Sequence, residues 1–299
     1  VTQPQEILSS ISCDKHVLIA GPTASGKSAL AIRIAQAQGG VIVNADALQV
    51  WSCWRVISAR PSAEEEAAAP HRLYGHMHPG QSFSVGQWLD QVAEILATGQ
   101  RLIVVGGTGM YLHALSNGLA VIPPVPDHVR ARGNALIAME DGLTRMVEDL
   151  DAPTRARIDL RNPARVQRAW EVLQTTGRGI TDWQAETGPA LIPREKSERL
   201  VLTSDRDWLA DRIARRFHAM MDQGALDEVR AMLPHWDPTA LWAKAIGAPE
   251  LIAYLRVETT LDEAVERAII ASRQYAKSQR IFFRGRMKDW REIRMDAAS

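Results

Sequence analysis

The sequence predicts an α/β fold in which a parallel sheet carries a helical insertion, and three observations lead there. A short apolar run, His16 to Ala20, breaks into Gly21-Pro22-Thr23-Ala24-Ser25-Gly26-Lys27-Ser28 before helical periodicity begins at Ala29. Two further runs of strand character, Val41 to Val43 and Arg101 to Val105, each end in a polar or glycine-rich segment. From Asp127 to about Trp183, by contrast, the periodicity is helical and shows no strand pattern. Strands that alternate with helical stretches pair in parallel, and a long helical interval between them reads as an insertion. The expected division is a core formed by 1–122 and 199–299, with an insertion over 123–198.

Composition sets the outer bounds. At 299 residues with 46% hydrophobic content, the chain can bury a full core. No apolar run approaches the roughly 18 residues of a membrane span, and the N-terminus lacks a signal-peptide pattern, so a cytoplasmic protein with no membrane partner is expected. The cysteines, Cys13 and Cys53, lack metal-ligand spacing, which excludes a zinc ribbon or a disulfide framework. Net charge is zero, yet nine basic residues face two acidic ones between Arg267 and Arg294. Arginines outnumber lysines 29 to 6, and the guanidinium fork suits bidentate phosphate contacts.

Residues 1–15 read as an extension with little structural signal. The strand, glycine-bounded loop and helix start that follow form a phosphate-binding loop. Its glycines let backbone N–H groups turn towards an anion, and the helix N-terminus adds its positive dipole end. Lys27 reaches terminal phosphate oxygens and Ser28 can hold Mg²⁺, so a di- or triphosphate is the expected ligand. Val41 to Val43 leads directly into Asn44-Ala45-Asp46, which puts Asp46 just past a strand end. In a parallel sheet the carboxyl ends line the ligand crevice, where a carboxylate can act as a general base or bind Mg²⁺ through water. The alternative for Asp46 is a helix N-cap.

Ser58 to Pro79 reads as an irregular loop with a short Ala/Glu helix; its His71, His76 and His78 lack the Cys or carboxylate partners of a metal site. Gln87 to Thr98 is an amphipathic helix with Trp88, Val92, Ile95 and Leu96 inward. The Arg101 to Val105 strand ends in Gly106-Gly107-Thr108-Gly109, placing a hydroxyl and bare backbone on the same rim. Within the insertion, Arg161, Arg165 and Arg168 are spaced for one helical face. Arg199 to Thr203 is a strand, and Asp207 to Met221 an amphipathic helix with Arg212, Arg215 and Arg216 near its middle. Leu261 to Arg284 is the longest helix, expected to bury Leu261, Val265, Ala268 and Ile269. Its Arg273, Lys277, Arg280 and Arg284 form a cationic stripe beside Phe282 and Phe283, suited to a polyanion with bases to stack. A solvated charged face is the plainer alternative.

The ordered set GPTASGKS (21–28), NADALQVW (44–51), PHRLY (70–74), GGTGMYLHAL (106–115), NPARVQRAWEVLQTTG (162–177), KAIG (244–247) and RQYAKSQRIFFR (273–284) resembles the bacterial tRNA dimethylallyltransferases. That family transfers a dimethylallyl group from its diphosphate to the exocyclic amine of the adenosine just 3′ of the anticodon, in tRNAs reading codons that begin with U. The resemblance implies a P-loop NTPase-like, kinase-like core with a helical insertion. It implies that Gly21, Pro22, Thr23, Ala24, Ser25, Gly26, Lys27 and Ser28 hold dimethylallyl diphosphate, with Mg²⁺ at Ser28. Asp46 becomes the base for the adenine amine and Thr108 its catalytic companion, both also touching tRNA. Further contacts to the anticodon stem-loop are implied for Ala47, Leu48, Gln49, Arg130, Ala164, Arg165, Val166, Gln167, Arg168, Lys244, Gly247, Lys277, Gln279, Arg280 and Arg284. A monomer is expected.

The chain departs from the family at three places. Arg55-Val56-Ile57-Ser58-Ala59-Arg60-Pro61 stands where D-I-G-T-A-K-P is common, Ala248-Pro249 follows Gly247 in place of Tyr and a basic residue or Lys, and Ser278 replaces an arginine. Three rival readings stand at this point, of which transfer of the allyl group to free adenine nucleotide leaves the arginine stripe without purpose. A nucleoside or nucleotide kinase would use the same core with ATP, and a non-catalytic RNA-binding protein would leave Asp46 and Thr108 dispensable.

Overall fold

The apolar run at 16–20 becomes an interior strand of a six-stranded sheet. In the computed structural model, which describes residues 4–296, the strands are β1 (His16–Ala20), β2 (Val41–Asn44), β3 (His71–Arg72), β4 (Leu102–Gly106), β5 (Ser197–Thr203) and β6 (Arg291–Arg294). All pair in parallel, in the order β3-β2-β4-β1-β5-β6. β2 and β4 are buried along their whole length and β1 from Val17 onward, which is why they read as unbroken Val, Ile and Leu runs: both faces of a parallel sheet are covered. Ala20 lies opposite Gly106, and Asn44 opposite Val105, so β1, β4 and β2 end level with one another. The loops that follow them therefore leave from one rim.

Alternation along β1 divides the core. Val17 and Ile19 pack on one face with α1 (Pro4–Ser9) and α2 (Lys27–Gln38), through Ile7, Leu30, Ala31 and Ile34. The N-terminal stretch, read as structurally uninformative, thus contributes Ile7 and also Ile11 to this core. Its two isoleucines four residues apart were the available signal. The short helix expected among the histidines is α3 (Ala63–Ala68), closed by a Ser62/Glu65 capping box, and it leads into the edge strand β3, which was missed because two residues carry no periodicity.

Leu18 and Ala20 face the other side, against α4 (Val85–Ala97) and α5 (Gly109–Asn117). Trp88 and Val92 of α4 are fully buried, while Ile95 and Leu96 are partly so.

The chain divides into two compact units, one running to Ser116 and resuming at Leu191, the other Asn117–Ala190. These limits differ from the expected 122 and 199. On the return side the reason is visible: Ile192 is buried in the first unit and its N–H bonds the Leu115 carbonyl at 3.1 Å. The second unit is all helical: α6 (Asp127–Ile137), α7 (Gly142–Asp149), α8 (Ala152–Arg157), α9 (Pro163–Thr176) and α10 (Ile180–Ala185). Its own core gathers Val129, Met146, Leu150, Val166 and Trp170. Trp170 donates to the Asp149 carboxylate at 2.8 Å, and Arg132 lies over its ring.

After β5 the first unit adds α11 (Arg206–Asp222), α12 (Ala225–Met232), α13 (Ala248–Leu255) and the long α14 (Leu261–Arg286). α14 starts at a Thr260/Glu263 capping box and buries Ala264, Ala268, Ile269, Ser272, Ala276, Gln279 and Phe283; Leu261 and Val265, expected inside, are only half-buried. No helix among the described residues is long and apolar enough to cross a membrane.

Candidate active site

The segment after β1 is shaped for an anion by its backbone. Ala24 and Gly26 take left-handed φ values of 63° and 92°, a conformation that costs alanine about 1–2 kcal/mol and glycine almost nothing, and that folds successive N–H groups to one side. α2 begins at Lys27 with no side chain capping it, so its first-turn N–H groups are left without intrahelical partners. Ser25 adds a hydroxyl that is buried and unpartnered among the described residues. Burial lowers the Lys27 pKa to about 8, with Asp46 opposing the shift and Arg216 adding to it. An ammonium held in that state gains from an arriving polyanion.

Two arginines of α11 grip this loop from the side. Arg212 Nε donates to the Ala24 carbonyl at 3.0 Å, and Arg216 donates to the Thr23 hydroxyl. Burial and Arg212 lower the proton affinity of Arg216 while Asp46 raises it. Sequence reasoning placed these arginines on a helix and gave them no role. Their partners lie 188 and 193 residues away, beyond any local pattern.

Asp46 is set by the residues around it. Asn44, fully buried, accepts from the Asp46 N–H at 2.8 Å and donates to the Asp46 and Leu73 carbonyls at 3.0 Å each. Asp46 Oδ1 accepts from the Leu48 N–H at 3.0 Å, which leaves Oδ2 without a protein partner among the described residues. The N-cap alternative is thus not what forms: an Asx-type turn holds the carboxylate at the strand end.

Thr108 is locked onto the same turn, donating its N–H to the Ala45 carbonyl at 3.2 Å and accepting from the Ala47 N–H at 2.9 Å. The preceding glycines are required by contact: a Cβ at 106 would lie 2.0 Å from the Ala45 carbonyl oxygen, and one at 107 would lie 2.2 Å from Gln279 Nε2. Burial, reinforced by Asp46, raises the pKa of the Tyr275 phenol, with hydrogen bonding to Thr108 and Gln279 working the other way.

Between these loops opens a pocket of about 50 Å³. Thr23, Asp46, Arg216 and Tyr275 give it a polar side, and Ile57, Ile213, Phe217, Met220 and Ile246 an apolar one. The Ile57 and Ser58 wall belongs to the segment where the chain departs from the family pattern. Glu228 of α12 holds it, accepting from the N–H groups of Arg55 at 2.5 Å, Val56 at 3.1 Å and Ile57 at 2.8 Å. Arg60 turns to the Trp54 carbonyl at 3.4 Å.

The residues expected on tRNA divide into exposed and engaged groups. Arg273, Lys277 and Arg284 are exposed and Arg280 half-buried, with no ion pair among the described residues. Lys244, Ala164 and Arg165 are also exposed, and Arg168 is half-buried. Arg130 pairs with the Glu171 carboxylate at 3.7 Å. Val166, however, is buried in the second unit's core, and Gln167 bonds Asn134 and Glu171. Arg161 precedes α9, whose Asn162 N-cap and Pro163 start leave it off the face assigned to it with Arg165 and Arg168.

In the first unit, Gln49 donates to the Ser58 and Ala59 carbonyls, and Gly247 is buried at a left-handed turn before α13. Gln279 and Phe283 point into the core, so neither stands on the cationic face. Ser278, in place of the usual arginine, is exposed and bonds the Gln274 carbonyl. Of the three histidines at 71–78, His71 bonds the Ala69 carbonyl, His76 bonds Gln91, and His78 lies 3.3 Å from Ser52, each on a separate partner.

The profile of the IPP transferase family matches residues 49–286. The chain is 66% identical to a tRNA dimethylallyltransferase of Paracoccus denitrificans, over 98% of this chain and 99% of that one. It is 61% identical to one of Cereibacter sphaeroides, over 99% and 95% respectively. Among solved structures, a full-length tRNA isopentenylpyrophosphate transferase from Bacillus halodurans superposes with a TM-score of 0.66 at 29% identity, covering 96% of this chain and 91% of that one.

Proposed function

This chain belongs to the IPP transferase family, and on that premise we propose that it moves a dimethylallyl group from dimethylallyl diphosphate to the N6 amine of the adenosine 3′ of the anticodon, in tRNAs reading U-starting codons. It is a tRNA-modifying transferase, and the kinase alternative is not favoured by its relatives. One observation carries the finer reading: a single narrow pocket joins the phosphate loop's Thr23 and the Asp46 carboxylate to an apolar wall. A small branched hydrocarbon bearing a diphosphate needs those features together.

The chemistry follows from charge. Lys27, Arg216 and the free N–H groups of the loop stabilise negative charge as pyrophosphate leaves. Magnesium fits the donor set here, since Ser28 stands exposed at the first turn of α2 with its hydroxyl unused among the described residues and oxygen is the donor that magnesium takes. Held by Ser28, it would supply further neutralisation of the diphosphate. The free Oδ2 of Asp46 takes the proton of the adenine amine as the new C–N bond forms, and Thr108 orients that amine. The reacting adenosine must leave its stack to reach the rim. Arg165, Arg168, Lys244 and the α14 stripe meet tRNA phosphates, and the protein acts as a monomer. The test is whole tRNA with dimethylallyl diphosphate and Mg²⁺, digested and weighed by mass spectrometry for an added prenyl group. ATP hydrolysis stimulated by RNA, with no prenylated product, would overturn the reading.

A further inference from the structure

Gln279 was grouped with the tRNA-contacting residues of α14, yet it is only 4% exposed. Both ends of its amide are spent on the two loops that build the site. Oε1 accepts from the Thr23 N–H at 2.9 Å, and Nε2 donates to the Gly107 carbonyl at 2.9 Å. Thr23 opens the polar part of the phosphate loop, and Gly107 adjoins Thr108, which is itself bonded to the turn after Asp46. A helix that lies beyond both loops in sequence thereby spans them with one side chain.

We propose that Gln279 is a positioning residue: its amide ties the phosphate-binding loop to the 106–109 loop and so fixes the spacing between the leaving diphosphate and the base Asp46. The inference rests on the proposed transfer reaction for its catalytic meaning, but the tie itself concerns only the anion site. An amide is suited to this task because it presents one acceptor and one donor in a fixed plane without charge. A carboxylate there would keep the acceptor for Thr23 and lose the donor for Gly107. Its protonated form, however, restores both, with the acid O–H replacing Nε2.

That equivalence supplies the experiment. Gln279→Glu and the near-isosteric Gln279→Met are compared with the parent protein, measuring inorganic pyrophosphate binding by calorimetry, tRNA binding by filter retention, and kcat and KM for dimethylallyl diphosphate. At about pH 8 both variants are expected to bind pyrophosphate roughly tenfold more weakly and to lose kcat, with tRNA affinity within about twofold. Lowering the pH to about 6 should recover the Glu variant relative to the parent, because burial raises a carboxyl pKa, while the Met variant gains nothing. Melting temperatures at both pH values separate positioning from packing. Weakened tRNA binding with unchanged pyrophosphate affinity would return Gln279 to the tRNA surface and overturn the proposal. So would a lowered melting temperature with kcat and KM intact per folded molecule. If the parent itself fails to prenylate tRNA, the functional reading falls, and the pyrophosphate titration still decides whether the tie exists.

Discussion

The two sides of α14 do opposite work with similar polar residues. Inward, Gln279 and Tyr275 meet named partners at the rim, where they join Arg212, Arg216 and Asn44 in holding loops still. Outward, Arg273, Lys277 and Arg284 have no ion-pair partner among the described residues. A buried polar side chain costs stability unless it is paired, so its partners reveal its task. An exposed cation without a partner is free to meet a polyanion, and its task shows only in salt dependence. The contrast yields a rule that can be broken: rim substitutions should alter turnover or diphosphate affinity and spare tRNA affinity, while stripe substitutions should do the reverse.

The largest effect belongs to Asp46. Asp46→Asn should lower kcat about a hundredfold or more, the scale for loss of a positioned base, with the tRNA dissociation constant little changed. Single-turnover prenylation measured beside tRNA binding checks both halves. Survival of turnover with weakened metal affinity would make Asp46 a magnesium residue and move it out of the proton-transfer role.

Next in size is Arg216→Gln, which removes a charge from the pocket and the bond to Thr23. Loss of a charge-assisted hydrogen bond corresponds to roughly tenfold to hundredfold weaker diphosphate binding. A rise in the KM for tRNA instead would erase the line between rim and stripe.

Which parts of this contrast can be read in the sequence depends on the distance between partners. The phosphate loop, Asp46 and Thr108 were legible because each follows a buried apolar run directly and parallel strand ends share a rim. The stripe was legible from helical spacing. Gln279 was assigned to the wrong side of its helix because adjacent residues of a motif share a label but not a direction. Val166 failed in the same way inside α9. For Arg161 the signal was present and misread, since Asn162-Pro163 already marks where that helix starts. Arg212, Arg216 and Glu228 could not have been found, because their partners are more than 170 residues away and no local rule connects them.

On the stripe, Lys277→Ala combined with Arg284→Ala should flatten the dependence of log tRNA affinity on log salt by about one to two units and weaken binding, since each lost phosphate contact contributes roughly 0.7 to 0.9. Diphosphate affinity should not move. Titration of tRNA binding between low and moderate salt makes the comparison. An unaltered slope with a normal circular dichroism spectrum would leave the stripe as a solvated face.

The smallest effect separates the two sides by pH alone. Lys27 holds its proton with a pKa of about 8 in the unliganded protein, against an ordinary 10.5, because burial disfavours the charge. On the proposed reading the diphosphate takes the charged form, so affinity should fall as pH rises through 8. The lysine is roughly nine-tenths protonated at pH 7 and about a quarter protonated at pH 8.5, which predicts about fourfold weaker dimethylallyl diphosphate binding at the higher value. Unfolding is not the cause expected from this group. Its lowered folded-state pKa means that the unfolded chain holds more protons between about 8 and 10.5, so its contribution to stability grows across that window and is lost as pH falls through 8. The stripe does not include Lys27, and tRNA affinity at constant salt should stay level over the same interval. Parallel titrations of the two ligands in one buffer series decide it. Equal losses for both would mean that the rim and the stripe of α14 do not act separately.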